Sequence, residues 1–308
     1  MSEPHADAHR PGARLRRLLE REQLLVAPGV YDGLSARLAE RAGAEAVYAS
    51  GGAIARSAGY PDLGLLGVGE VLDRVASIAE AVSIPVIADA DTGYGNALNV
   101  RRTVRDFERI GVAALHLEDQ DSPKRCGHYE GKRLVPAGEM IGKLRAALEA
   151  RRDPGLVIIA RTDAVAVEGL EAALARAEAY REAGADVLFV EAPESEAQVE
   201  AIAGRLPGPK LINVFRGGKT PLLPRERLAE LGYRVAILPS DLQRAAIRAM
   251  QETLEAIARD GNASAVDDRL ASFAERDEIV GLAGYRALDE RYGSDRAGGT
   301  GAGEAGKP

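Results

Sequence analysis

One cysteine, no tryptophan, four phenylalanines and three methionines occur in 308 residues, and the scarcity of thiols excludes most directly. A lone cysteine forms no intrachain disulfide, and one thiol with four histidines leaves too few ligands for a Cys/His zinc cluster. Long apolar runs are missing too. No stretch approaches the roughly 18–20 apolar residues of a membrane span, and the opening MSEPHADAHRPGARLRRLLEREQ has no signal-peptide core. A soluble protein of the reducing cytoplasm is expected, with no membrane partner. Positive charge is in deficit: 40 Lys and Arg face 47 Asp and Glu, a net charge of −7. That sign opposes binding to a phosphate backbone, so nucleic acid is not an expected partner.

What is present supports a large core. The chain is 46% hydrophobic and 28% charged, a globular balance. Residues 1–12, with His5 and His9, and residues 294–308 have little to bury and are expected to be disordered. Residues 13–293 read as a single domain, since no linker-like composition interrupts them.

Short apolar runs recur along it: LLVAPGVYD from Leu24, AEAVYASGG from Ala44, PVIADADTGYG from Pro85 and AALHLEDQ from Ala113. LVIIARTD from Leu156, VLFVEAP from Val187, LINVF from Leu211 and VAILPS from Val235 continue the series. Continuous rather than alternating Val/Ile/Leu/Ala runs suit parallel strands covered on both faces. The intervening segments carry a helical period. Val100, Val104, Phe107 and Ile110 share one face and stop at Gly111, and Ile141, Leu144 and Leu148 repeat the spacing. Eight strand–helix alternations with right-handed crossovers predict an α/β fold, a (β/α)₈ TIM-type barrel. An open doubly wound sheet is the alternative. Helices beyond Leu242, through Leu288, exceed a minimal barrel and are expected to pack on a neighbouring subunit.

Reactive groups of such a barrel lie where its strands end. The third run ends Asp89-Ala90-Asp91, and strand alternation would turn both carboxylates to one side. The fourth ends Glu118-Asp119, the fifth Arg161-Thr162-Asp163, the sixth Glu191, and the seventh carries Asn213. Several carboxylates at one mouth repel unless protonated or bridged by a cation, and oxygen ligands suit Mg²⁺ or Mn²⁺. The competing reading is that an Asp after a strand caps the next helix. The loop DSPKRCGHYEGK sets Cys126 between Lys124-Arg125 and His128, where neighbouring cations would favour the thiolate. His128 is a candidate for orienting substrate or moving a proton; His116, inside a strand, reads as an interior histidine. Ser50-Gly51-Gly52 offers backbone N–H groups to an anion. Arg161, Arg244 and Arg276 are candidate carboxylate binders if the fold converges them.

KRCGH, with ASGG, DADTGYGNALNV, HLEDQ and IIARTDA, resembles the isocitrate lyase and phosphoenolpyruvate mutase superfamily from about Leu24 to about Tyr292, and its methylisocitrate lyase branch most. The resemblance implies a barrel whose C-terminal helices are exchanged between subunits of a homotetramer, with Mg²⁺ at the mouth. It implies a lyase that cleaves a carbon–carbon bond of a 2-hydroxy di- or tricarboxylate, 2-methylisocitrate giving pyruvate and succinate. Other branches leave alternatives: a phosphonopyruvate- or carboxyphosphonate-type mutase or hydrolase, a dimethylmalate lyase and an oxaloacetate decarboxylase. Carried over, Asp89, Asp91, Asp62 and Glu118 are metal residues. Ser50, Gly51, Gly52, Cys126, Gly127, Arg161, Glu191, Asn213, Val214, Phe215, Arg244 and Arg276 are substrate contacts. Cys126, Tyr48 and His128 are catalytic, Cys126 as acid and Tyr48 as a candidate base. NVFRGGKTP departs from the methylisocitrate lyase pattern by carrying Arg216.

Overall fold

A computed structural model describes residues 10–293. Of the tails expected at residues 1–12 and 294–308, residues 1–9 and 294–308 lie outside the described residues. Pro11 and Gly12, assigned above to the first tail, instead open helix α1, Pro11–Leu19. The chain forms two units, with the boundary between Ala249 and Met250.

The first unit is a closed barrel of eight parallel strands in sequential order. They are β1 (Leu25–Val30), β2 (Val47–Ala49), β3 (Val86–Asp89), β4 (Ala114–Glu118), β5 (Val157–Thr162), β6 (Val187–Val190), β7 (Lys210–Asn213) and β8 (Tyr233–Leu238). β8 closes on β1 with Leu25 opposite Val235. The open-sheet alternative is thereby excluded. Between the strands run α2 (Gly33–Arg41), α3 (Gly51–Ser57), α4 (Val68–Ala81), α5 (Ala97–Arg109), α6 (Ala137–Ala150), α7 (Val165–Glu168), α8 (Leu170–Glu182), α9 (Glu196–Arg205) and α10 (Arg225–Glu230).

Local chemistry starts these helices. Asp32 and Asn96 cap α2 and α5 through reciprocal capping boxes, and Ser195 caps α9. Val100, Val104 and Phe107 of α5 are fully buried, as their spacing requires.

Two apolar layers explain why the strands read as continuous hydrophobic runs. Val47, Ala88, Leu115, Leu117, Ile158, Ala160, Leu188 and Ile212 pack with the helices in the outer layer. Leu25, Ala27, Tyr48, Ile87, Ala114, Ile159, Phe189, Leu211 and Ile237 fill the barrel with Leu15 of α1, which lies at its floor. Because side chains alternate, each inward row climbs by steps of two. Ile87 leads to Asp89, His116 to Glu118, Ile159 to Arg161, Phe189 to Glu191 and Leu211 to Asn213. Polar residues therefore gather at the strands' C-terminal ends.

Helix α11 (Asp241–Asp260) begins in the first unit and ends in the second, which continues with a 3₁₀ turn (Ser264–Arg269), α12 (Phe273–Ile279) and α13 (Leu282–Gly293). No residue of α12 or α13 is buried. Among the described residues no helix is long and apolar enough to cross a membrane.

Candidate active site

A cavity of about 280 Å³ opens at the C-terminal end of the barrel. Tyr48, Ser50, Asp62, Asp89, Cys126, Arg161, Glu191 and Asn213 are among its lining residues, so the mouth brings together most of the side chains singled out above.

Asp89 and Asp91 do share this end, but strand alternation is not the reason. β3 stops at Asp89, and Asp91 has left-handed backbone (φ 47°), with its N–H donating to Asp89 Oδ1 at 3.0 Å. The turn folds the second carboxylate back over the first. Asp89 also accepts from the Tyr48 hydroxyl (3.1 Å) and the Gly51 N–H (3.2 Å). Burial opposes its charge, but His116, Lys124, Arg161 and the Asp91 N–H together hold it below the usual carboxylate range. Asp91 goes the other way: burial and the like charge of Asp89 outweigh Lys124 and push it up to about 6. Glu118 is raised by burial despite Arg161, whose Nη1 stands 3.1 Å from Oε2.

Lys124 is the counter-ion of this acidic mouth. Its Nζ lies 2.7 Å from Asp62 and 2.8 Å from Asp91. Sequence reasoning had set its charge beside the thiol instead. Arg125 also turns away and donates to the Glu130 carbonyl at 3.2 Å. The expectation of a thiolate at Cys126 is corrected accordingly: burial, followed by Asp62, pushes the thiol up to about 11. Cys126 holds its proton at neutral pH.

His128 stacks on Phe215 at 5.0 Å, and its Nδ1 accepts from the Lys219 N–H at 3.3 Å. Nε2 stands 3.3 Å from the Asn213 amide nitrogen Nδ2 and 3.4 Å from Glu191 Oε1. Burial lowers the His128 pKa and favours the neutral ring. His116 is fully buried, with Nε2 2.9 Å from the Tyr48 hydroxyl, and burial lowers it to about 4. The residue is interior as expected but not fully satisfied, since among the described residues Nδ1 has no hydrogen-bond partner. Tyr48 is pushed well above 10 by burial and by Asp89, so its hydroxyl is a donor and unsuited to the role of base.

Two N–H groups of the expected anion cradle already have partners, since Ser50 donates to the Val30 carbonyl and Gly51 to Asp89. The Ser50 hydroxyl caps α3. Gly52 is needed for close approach: a Cβ there would stand 2.7 Å from Asp62 Oδ2.

Arg161 is buried and forks onto Asp163 (Nε–Oδ2 2.9 Å, Nη2–Oδ1 3.1 Å), which burial opposes but Arg161 and Lys132 hold down to about 2. Glu191 Oε1 accepts from Asn213 Nδ2 at 3.0 Å, and among the described residues Glu191 Oε2 and Asn213 Oδ1 have no hydrogen-bond partner. Phe215 and Arg244 line the cavity, with the Arg244 guanidinium 5.7 Å from the Phe215 ring and bonded to the Arg216 carbonyl at 2.8 Å. Val214 is not a lining residue; it packs against the outer apolar layer. Arg276 belongs to the second unit, where it is exposed, pairs with Asp277 at 3.2 Å and lies over Phe273.

Arg56 and Gln243 were missed by sequence reasoning. Arg56 Nε donates to Gln243 Oε1 at 2.8 Å, and both line the cavity. The available signal was Arg56 following ASGG on one short helix, which points a cation at the same rim.

These donors meet a divalent cation only in part. Among the described residues no three His, Cys, Asp or Glu side chains converge into a preformed metal cluster, and the Lys124 ammonium stands between Asp62 and Asp91. The donor set is nonetheless all oxygen: among the described residues Glu118 Oε1 is buried without a hydrogen-bond partner, and Oε2 is held by the ion pair with Arg161. Such donors fit a hard ion.

Acid-lined mouth, buried arginine and protonated thiol on one parallel barrel define an enzyme of the isocitrate lyase and phosphoenolpyruvate mutase superfamily. Residues 15–258 match the phosphoenolpyruvate phosphomutase family, and the chain belongs to it. It is 43% identical over 285 residues to the 2,3-dimethylmalate lyase of Eubacterium barkeri, covering 92% of this chain and 99% of that one. It is 44% identical over 280 residues to the 2-methylisocitrate lyase of Aeropyrum pernix, covering 91% and 90%. Among solved structures, a 2,3-dimethylmalate lyase superposes with a TM-score of 0.87 at 39% identity, covering 92% and 96%. A phosphonopyruvate hydrolase in complex with oxalate and Mg²⁺ superposes at 0.84 with 34% identity, covering 92% and 99%.

Proposed function

We propose that the protein is a Mg²⁺-dependent carbon–carbon lyase that cleaves 2-methylisocitrate to pyruvate and succinate. The observation that carries this reading is Cys126, a thiol held protonated on the wall of the cavity that Asp89, Arg161 and Glu191 also line. Breaking the C2–C3 bond leaves a carbanion-like carboxylate that requires a proton, and an acid of raised pKa retains one until that moment.

Asp89 and Asp91, with Asp62 and Glu118 directly or through water, would hold the ion, whose charge would lower the pKa of a substrate hydroxyl beside it. Mn²⁺ suits the same donors. Arg161 meets a substrate carboxylate at the barrel axis, while Arg56 and Arg244 face it from the rim. His128 stands against Glu191 and Asn213 and helps to hold that pair in place. Tyr48 donates to Asp89 and holds it in place. Phe215, Ile237 and Pro239 form an apolar wall that limits water at the reacting carbon.

That apolar wall favours one second reading. Together with the 43% identical relative, it suits 2,3-dimethylmalate, which carries a methyl group where 2-methylisocitrate carries a third carboxylate arm. Both substrates release pyruvate, and the co-product separates them: succinate from one, propionate from the other. Incubation with each acid and Mg²⁺, with chromatography of the products, tests the proposal. Release of no keto acid from either would reject the lyase reading.

The proposed assembly is a cytoplasmic homotetramer with exchanged C-terminal helices. It is supported by apolar side chains left in water on the second unit, Phe273 at 76%, Tyr285 at 65% and Tyr292 at 70% exposure. Sedimentation or mass photometry would measure it.

A further inference from the structure

Lys132 touches neither the cavity nor the proposed ion donors, yet its side chain is 1% exposed. It is the sixth residue after the thiol in a loop whose ends are joined by the Gln120–Leu134 bridge. Its ammonium donates to the Gly127 carbonyl and stands 3.0 Å from Asp163 Oδ1. Burying an ammonium is costly unless it is paired, and an apolar side chain would fill this space without that cost. A lysine here therefore calls for an account.

The partners supply one. Asp163 is the residue onto which Arg161 forks, so one carboxylate joins the buried arginine of the cavity to the lysine of the loop. Gly127 is the residue after the thiol, pressed so tightly against the site that a Cβ would stand 2.5 Å from Glu191 Oε1 and 2.6 Å from Arg161 Nη2. The Cys126 carbonyl accepts from the Tyr129 N–H at 2.8 Å. Two successive carbonyls, those of Cys126 and Gly127, are thus held, which restricts the backbone on which the thiol is mounted. Gln120 holds the peptide on the other side of the thiol, donating to the Arg125 carbonyl at 2.8 Å and accepting from the Arg125 N–H at 2.9 Å, and Lys124 reaches across to Asp62 and Asp91.

We propose that Lys132 is a positioning residue of the Cys126 loop, a latch that fastens the Gly127 peptide to the Asp163–Arg161 pair and so aims the thiol into the cavity. Its effect on turnover rests on the lyase reading; its effect on the loop does not. Breaking the latch by Lys132→Met removes one buried positive charge but leaves Asp163 still paired with Arg161, while the loop loosens.

Cys126 is the only cysteine, so a thiol reagent reports on this loop alone. The rate of its modification by 5,5′-dithiobis(2-nitrobenzoate) is measured in full-length wild type, Lys132→Met, Lys132→Gln and Lys132→Arg, well below their melting temperatures. Lys132→Met is expected to react about tenfold faster or more, through local opening. Lys132→Gln, which keeps a donor for the carbonyl, and Lys132→Arg, which keeps the charge, are expected to fall between it and wild type. These two also decide the matter if Lys132→Met fails to fold, because wild-type rates in both would overturn the latch. It is overturned equally if Lys132→Met labels at the wild-type rate, or if labelling accelerates only in step with proteolysis of the whole barrel. With keto-acid release as readout, Lys132→Met is expected to lower kcat about tenfold or more and to leave KM within about threefold, with partial rescue by arginine. A KM effect alone would contradict an aiming role. If wild type releases no keto acid from any 2-hydroxy acid, the lyase reading falls, while the labelling rates still decide whether the latch exists.

Discussion

Lys124 Nζ and Asp91 Oδ1 stand 2.8 Å apart, and the same ammonium is 2.7 Å from Asp62. A lysine of the cysteine loop thereby neutralises the acidic mouth from within. The pairing joins loop and mouth electrostatically. It also removes from the thiol the positive charge that its place in the sequence suggested, which leaves Cys126 an acid.

Replacing that acid tests the role directly. Cys126→Ser preserves size and polarity but raises the pKa of the group far beyond useful range. Pyruvate release should fall by about 10²–10⁴, the usual worth of a positioned general acid, with little change in melting temperature. Turnover at the wild-type rate would take the thiol out of the chemistry.

The raised thiol pKa also makes a stability prediction. The folded value is about 11, above the 9.0 typical of a free cysteine, so the folded state holds this proton more tightly than the unfolded chain. The resulting stabilisation is complete below about pH 9 and is lost as pH rises through about 11. The melting temperature of wild type should thus decline more steeply than that of Cys126→Ser between these limits. Parallel curves would mean that the thiol is not so perturbed.

Metal dependence is the third test. Chelation is expected to abolish keto-acid release and added Mg²⁺ to restore it. Asp91→Ala should bind Mg²⁺ at least about tenfold more weakly by calorimetry, because one oxygen donor of the proposed set is lost. Full activity after that substitution would reject the ion site.

Arg244 separates the two substrate readings. If it holds the third carboxylate of 2-methylisocitrate, Arg244→Ala should raise KM for that acid about tenfold or more, the worth of a charge-assisted contact at an exposed rim. KM for 2,3-dimethylmalate should barely move. Equal effects on both substrates would remove Arg244 as the discriminating contact.

Strand order and the chemistry of the mouth were legible in the linear pattern because both are local. A parallel strand covered on two faces must be apolar at successive positions, and its first polar residues mark where it leaves the barrel, as at Asp89, Glu118 and Glu191. The direction taken by a long charged side chain is not local. Lys124 and Lys132 flank the same cysteine, yet one crosses to Asp62 and Asp91 while the other turns under Gly127 to Asp163. Arg56 entered the site only because α3 faces Gln243 at the start of α11. The amino-acid order by itself therefore determined the barrel, its acidic rim and the presence of a thiol there. Tertiary structure alone decided which cation neutralises which acid, and hence that the thiol keeps its proton, because burial and pairing depend on residues far apart in the chain.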